Sequence, residues 1–110
     1  MNDEIKKFLF DILSCINGIA IHITNIDNYE QYKKSYTSKR AVERELEIIG
    51  EAVKNVARLQ PSTTIENFKQ IIALRNRIAH AYDSVDDADI WNIVKNHIPK
   101  LKTEIENLLK

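Results

Sequence analysis

The chain has 110 residues, of which 44% are hydrophobic and 29% charged, and 16 lysines and arginines balance 16 aspartates and glutamates to give a net charge of zero. This length predicts a single domain, residues 1–110, with one modest core. The zero net charge excludes the strongly basic balance of a protein that binds nucleic acid tightly regardless of sequence, so stable DNA binding is not expected. The lone cysteine, Cys15, excludes an intrachain disulfide.

The first four residues are acidic and run directly into an amphipathic pattern, and no apolar run approaches the roughly 18 residues that a membrane-spanning helix requires. A single thiol flanked by helix-patterned apolar residues suits a reducing compartment. We therefore expect a cytoplasmic protein that is neither secreted nor embedded in a membrane.

Apolar residues recur at steps of three and four, and only two glycines and two prolines interrupt them, which predicts an all-helical protein. The first helix is predicted over residues 3–26, with Asn2 as its N-cap. A polar, tyrosine-rich stretch follows, and Ser38 is predicted to cap the second helix. Gly50 lies inside that helix at a cost of about 1 kcal/mol relative to alanine, so we expect a close helix contact there.

Residues 61–64, which begin with Pro61, break the chain and offer caps for a third helix, whose apolar positions run from Ile65 to Ile78. Ser84 and Asp87 resemble a capping box for a fourth helix, which Pro99 bends or splits. The sequence therefore predicts an all-α fold, an antiparallel bundle of four long helices with a bent or split C-terminal helix.

Residues 74–82, at the end of the predicted third helix, concentrate an arginine, a histidine and a tyrosine. They supply a permanently charged phosphate ligand, a side chain that exchanges protons near neutral pH, and a phenol. On a straight helix Asn76 and His80 share a face, whereas Arg75 and His80 point about 140° apart. Either the helix loosens after His80, or the site is completed across a two-fold dimer interface; we favour the dimer.

An arginine with a histidine, without a cysteine nucleophile or a metal-ligand constellation, fits cleavage of RNA. The histidine can take the proton of the ribose 2′-hydroxyl while the guanidinium stabilises charge on the phosphate, so no metal or other cofactor is required. DNA lacks that internal nucleophile. Acidic residues around the start of the fourth helix, Asp83, Asp86, Asp87 and Asp89, are better explained by capping and the helix dipole than by a metal.

Five basic residues precede or begin the second helix, namely Lys33, Lys34, Lys39, Arg40 and Arg44. This run fits contact with an RNA backbone, but a solvated face or contact with a protein partner explains it about equally well. Tyr29, Tyr32 and Tyr36 could stack on bases, although packing over the end of the bundle is favoured.

Three ordered segments together resemble one known family. Residues 75–82 resemble the Arg-x4-His-x-Tyr signature of the HepT-like branch of the HEPN superfamily. Residues 41–52 are similar to the second-helix signature of that family, and Val85-Asp86, Ile90-Trp91 and Ile98-Pro99 are similar to its C-terminal pattern. A proline-tryptophan pair common ahead of the motif helix is replaced here by Glu66-Asn67-Phe68.

The resemblance implies a homodimeric, HEPN-like, metal-independent endoribonuclease that acts as the toxin of a type VII-like toxin–antitoxin pair. The antitoxin would be a minimal nucleotidyltransferase that transfers AMP to the motif tyrosine, here Tyr82. Carried over by position, Arg75 would stabilise the transition-state phosphate and His80 would act as general base or acid. Asn76 would orient the substrate or the histidine, and Arg44, in the second-helix segment, is a candidate supporting residue.

A second function stays open. The chain could be the non-catalytic helical subunit of a two-protein nucleotidyltransferase, in which the arginine and histidine only hold a phosphate or nucleotide. Cleavage of RNA by the free protein separates the two hypotheses.

Overall fold

The computed structural model describes residues 1–80 and 85–110, and within these ranges all regular structure is helical. The α-helices, in chain order, are α1 (Asp3–His22), α2 (Tyr29–Lys34), α3 (Tyr36–Leu59), α4 (Phe68–Ala79), α5 (Asp87–Asn92) and α6 (Ile98–Leu108). A π-helical turn, Ile93–His97, joins α5 to α6. The predicted all-α fold with a split C-terminal helix is confirmed.

Helix α1 begins as predicted and ends early. The Oδ1 atom of Asn2 accepts the backbone N–H of Ile5 at 2.8 Å, which caps the helix. The hydroxyl of Thr24 lies 3.1 Å from the carbonyl oxygen of Ala20 and 2.9 Å from that of Ile21. These carbonyls belong to the last turn of α1, where carbonyl groups lack helical partners. The helix therefore ends at His22, with the Thr24 hydroxyl taking the place of those partners, and not at residue 26 as predicted.

The start of the second long helix was predicted wrongly. Its N-cap is Ser35, whose Oγ accepts the N–H of Ser38 at 3.3 Å. Ser38 instead donates its hydroxyl to the carbonyl oxygen of His22 at 3.1 Å. This bond ties the first turn of α3 to the last turn of α1, so the two helices run antiparallel. The short helix α2 in the tyrosine-rich stretch was not predicted.

Helix α4 begins at Phe68, later than residues 61–64, which were predicted to offer its cap. Asn67 precedes it in the left-handed conformation, with φ 62° and ψ 25°, which asparagine tolerates better than most residues. The helix then runs back along α3. Gly50 lies beside Arg75, whereas Val56, six residues further along α3, faces the same groove as Phe68 at the start of α4.

The N-cap of α5 also differs from the prediction. Asp86 is its N-cap and accepts the N–H of Ala88 at 2.8 Å, while Asp87 forms an ion pair with Lys39 of α3 at 3.2 Å. Ser84, the predicted cap, lies outside the described residues. Pro99 occupies the first turn of α6, directly after the π-helical turn, a position in a helix where proline is tolerated.

The core lies between α1, α3 and the α5–α6 segment, with Tyr32 of α2 closing one end. Its fully buried side chains include Ile5, Leu9, Ile12, Ile19, Tyr32, Val42, Ile49, Val53, Val56, Ile90 and Ile105. The ring of Tyr32 stacks on Trp91 with centroids 5.3 Å apart, which confirms packing over the bundle end for this tyrosine. Helix α4 contributes no fully buried side chain, so one face of it remains uncovered in the single chain.

None of the helices within the described ranges combines the length and apolar character needed to cross a membrane.

Candidate functional site

Arg75 is fixed between α4 and α3. Its Cβ and Cγ press against the backbone of Gly50, and a Cβ added to that glycine would overlap the arginine Cβ and lie 2.7 Å from its Cγ. The guanidinium then extends to the next residue of α3, where its Nη2 lies 2.8 Å from Oε2 of Glu51. Its Nη1 donates to Oδ1 of Asn76 at 3.1 Å. The close helix contact predicted at Gly50 is therefore confirmed, and the side chain of Arg75 occupies the space that a larger residue at position 50 would fill.

A cavity of about 190 Å³ opens beside this arginine, between α1, α3 and α4. Its polar lining consists of Asp11, Arg44, Glu47, Glu51, Asn55 and Arg75. The structure thus brings together Arg44 and Arg75, which the sequence predicts as partners in one function although they are 31 positions apart. Arg44 is largely exposed and forms an ion pair with Glu47, one turn further along α3.

His80 lies at the C-terminus of α4, outside the lining of that cavity. The helix ends at Ala79, and His80 is its C-cap, with its backbone N–H donated to the carbonyl oxygen of Asn76 at 3.0 Å. The side chains of Asn76 and His80 are exposed, whereas Arg75 is turned towards α3. One chain alone therefore does not direct the arginine and the histidine at one point. Tyr82 lies outside the described residues.

Sequence reasoning missed Glu51, the carboxylate of this cavity that pairs with Arg75. An ion pair between helices depends on the packing of α3 against α4, which periodicity does not specify. One signal was present nonetheless: Glu51 directly follows Gly50, the position where a close approach was expected. The partner of Arg75 could have been sought there.

Several of the remaining candidates have structural partners. Asp86 caps α5 and Asp87 pairs with Lys39, while Asp83 lies outside the described residues. The guanidinium of Arg40 lies 5.8 Å from the centre of the Tyr36 ring. Within residues 1–80 and 85–110, no group of three or more histidine, cysteine, aspartate or glutamate side chains is arranged to hold a metal ion.

Two further titratable groups sit on α1 and α3, away from Arg75. Burial raises the pKa of Cys15 to about 11, and the nearby carboxylate of Glu45 adds to the shift. The same carboxylate lies over Gly18 and 3.5 Å from Nε2 of His22. Burial also raises the pKa of Glu43, which Arg40 lowers and Asp87 raises again.

The family model described as ribonuclease HepT-like matches residues 12–108. The chain belongs to this family. The match spans Arg44, Arg75, Asn76, His80 and Tyr82, and it confirms the resemblance inferred from the three sequence segments.

Three curated relatives are similar to this HepT-like chain along almost its whole length. A protein of Methanocaldococcus jannaschii provisionally named as an RNase is 37% identical over 108 residues, covering 97% of this chain and 92% of its own. A second such protein of that organism is 36% identical over 108 residues, covering 97% and 88%. A protein of Thermococcus cleftensis provisionally named ribonuclease HepT is 36% identical over 109 residues, covering 96% of each. No solved structure matches significantly.

Proposed function

We propose that this HepT-like protein is a metal-independent endoribonuclease and the toxin of a type VII-like toxin–antitoxin pair. The observation that carries the proposal is the family match across residues 12–108, a span that contains the Arg-x4-His-x-Tyr motif. The geometry around Arg75 supports it, because an arginine with two of its nitrogens already engaged is oriented in advance for a phosphate.

The reaction follows from the two side chains. His80 takes the proton from the ribose 2′-hydroxyl, and the 2′-oxygen attacks the adjacent phosphorus as the bond to the 5′-oxygen breaks. The leaving 5′-oxygen takes up a proton, and the products are a 2′,3′-cyclic phosphate and a 5′-hydroxyl. Arg75 stabilises the negative charge that develops on the phosphate oxygens. Arg44 contacts the RNA backbone from the same cavity, and Asn76 holds the guanidinium.

We infer that the active form is a homodimer joined through α4. This helix has no fully buried side chain, and Ala73, Asn76, Arg77 and His80 form an exposed stripe along it. A two-fold axis near this stripe would bring both copies of His80 towards both copies of Arg75.

An oversized side chain in the stripe tests this dimer. Ala73→Arg should give a monomer by sedimentation and lose RNA cleavage together with association. The matched variant Ala88→Arg places the same side chain at an exposed position of α5 and should remain a dimer. A cleaving monomer would refute the shared site.

We further propose that the antitoxin is a minimal nucleotidyltransferase that silences the nuclease by transferring AMP to Tyr82. An anionic nucleotide two residues beyond His80 would obstruct RNA and attract Arg75. After co-expression with a cognate minimal nucleotidyltransferase, intact mass should increase by AMP groups. The increase should disappear in Tyr82→Phe and persist in Tyr36→Phe, which removes the hydroxyl of an exposed tyrosine elsewhere.

The nuclease itself is tested with labelled RNA and purified, unmodified protein in excess chelator. The parent protein should cleave, Arg75→Ala should not, and Arg58→Ala, which removes an exposed arginine of α3 away from both the cavity and the stripe, should retain cleavage. No cleavage by the folded parent protein would overturn the nuclease proposal. That result would favour the non-catalytic partner of a nucleotidyltransferase.

A further inference from the structure

We infer that Glu51 is a positioning residue for Arg75: its carboxylate fixes the guanidinium in the orientation that receives the scissile phosphate. This inference rests on the proposed ribonuclease function and assigns a task to a residue outside the sequence motif.

The contact between the two residues is shielded although both are partly accessible. The side chain of Glu51 is 46% exposed and that of Arg75 is 25% exposed, yet Oε2 of Glu51 is buried at atom level. This oxygen lies 2.8 Å from Nη2 in an ion pair that lacks the angles of a hydrogen bond, so the attraction between the two groups is one of charge. An ion pair held away from water is attenuated less by solvent than a surface pair. The carboxylate therefore constrains the guanidinium rather than merely lying near it.

The rest of the arginine has few other anchors. Its Nε is buried and has no hydrogen-bond partner among the described residues, and Asn76 engages only Nη1. Packing against Gly50 fixes the base of the side chain but not the torsions near its end. Without Glu51 the guanidinium would keep its charge and lose its direction, and a misdirected group stabilises a transition state poorly.

A competing role for Glu51 would be purely electrostatic. Its negative charge could repel RNA from the cavity, in which case removing it would tighten substrate binding. Glu47 provides the matched control, because it lines the same cavity one turn earlier on α3 and pairs with Arg44 rather than with Arg75. Positioning affects kcat through Arg75 alone, whereas charge removal affects KM at either glutamate.

The experiment measures kcat and KM for RNA cleavage in chelator by the parent protein, Arg75→Ala, Glu51→Ala, Glu51→Gln and Glu47→Ala. Thermal unfolding of each variant establishes that it is folded. We expect Glu51→Ala to lower kcat by about 10- to 100-fold with little change in KM. Glu51→Gln keeps an acceptor of the same shape but loses the charge, so it should lose less of kcat than Glu51→Ala. Glu47→Ala releases Arg44 rather than Arg75, so we expect it to change KM without the loss of kcat expected of Glu51→Ala.

Three results would overturn the positioning role: an unchanged kcat in Glu51→Ala, an equal loss in Glu51→Gln and Glu51→Ala, or an equal loss in Glu47→Ala. In each of these cases a cleaving parent protein and an inactive Arg75→Ala would leave the ribonuclease proposal standing. A parent protein that does not cleave would refute the ribonuclease proposal, and the role of Glu51 would be refuted with it.

Discussion

Gly50 of α3 and Arg75 of α4 are in direct contact, and the absence of a side chain on the glycine is what allows the arginine to enter the crevice between the two helices. Helix α4 carries the motif arginine, and helix α3 carries the second family segment. The contact at this one small residue therefore fixes the position of α4 along α3. Displacing α4 at this point would move Arg75 away from Glu51 and out of the cavity wall.

Gly50→Ala should therefore destabilise the protein and impair cleavage. The overlap with the arginine stem forces the helices apart at a cost of about 1–3 kcal/mol, while better helix propensity returns about 1 kcal/mol. Urea unfolding should show a net loss of stability.

Gly18→Ala is the control for that substitution. There the added methyl group meets the end of the Glu45 side chain, which can turn away. We expect this variant to be as stable as the parent protein or up to about 1 kcal/mol more stable. Equal effects at the two glycines would contradict the role assigned to the contact at Gly50.

The raised pKa of Glu43 predicts that the free energy of unfolding depends on pH. Burial raises its pKa above the value of an unfolded chain, so its ionised form is penalised in the folded state. The stability associated with the protonated form is fully present below the unfolded pKa and is lost as pH rises through the folded value. Glu43→Gln, which stays neutral, should be more stable than the parent protein at neutral pH.

Chemical denaturation of Glu43→Gln and the parent protein at neutral pH and near pH 4 checks this sign. The difference in unfolding free energy should shrink at the lower pH. Glu106→Gln, at an exposed position of α6, serves as the control and should show no comparable change. A constant difference for Glu43→Gln would disprove the assignment.

Cys15 should be inert in the folded protein. Its thiol is buried, and a pKa of about 11 keeps it protonated at neutral pH, whereas thiol reagents attack the thiolate. A chromogenic disulfide reagent at pH 8 should react slowly with native protein and rapidly in denaturant, and Cys15→Ser should give no signal. Equally fast reaction in both states would show that the thiol is accessible.

Local patterns in the sequence predicted the helical architecture well where the deciding interaction is local. Asn2 caps α1 because a side chain reaches three residues along its own chain, and such a pattern is readable. Ser38 looked equally suitable as a cap, but its hydroxyl reaches 16 residues back to the carbonyl of His22, so Ser35 takes the capping role. Sequence alone did not distinguish the two serines.

In the candidate site, too, local features could be predicted from the sequence and contacts between helices could not. The motif and the family resemblance gave Arg75, Asn76, His80 and Arg44 as candidates, and Gly50 marked where two helices meet. Glu51 was not identified, because its role depends on how α4 lies across α3. The different directions of Arg75 and His80 were predictable from helical geometry, whereas the proposed completion of the site by a second chain depends on an interface that one sequence does not specify.

The central claim is that Arg75 and His80 cleave RNA through its own 2′-hydroxyl without a metal. The most direct measurement uses an end-labelled oligoribonucleotide with a mapped cleavage site and a copy of it carrying a single 2′-deoxynucleotide at that site, both in excess chelator. We expect cleavage of the all-ribonucleotide strand, leaving a 2′,3′-cyclic phosphate, and an intact bond in the copy with the 2′-deoxynucleotide. Cleavage at the deoxynucleotide, or dependence on added metal, would contradict it.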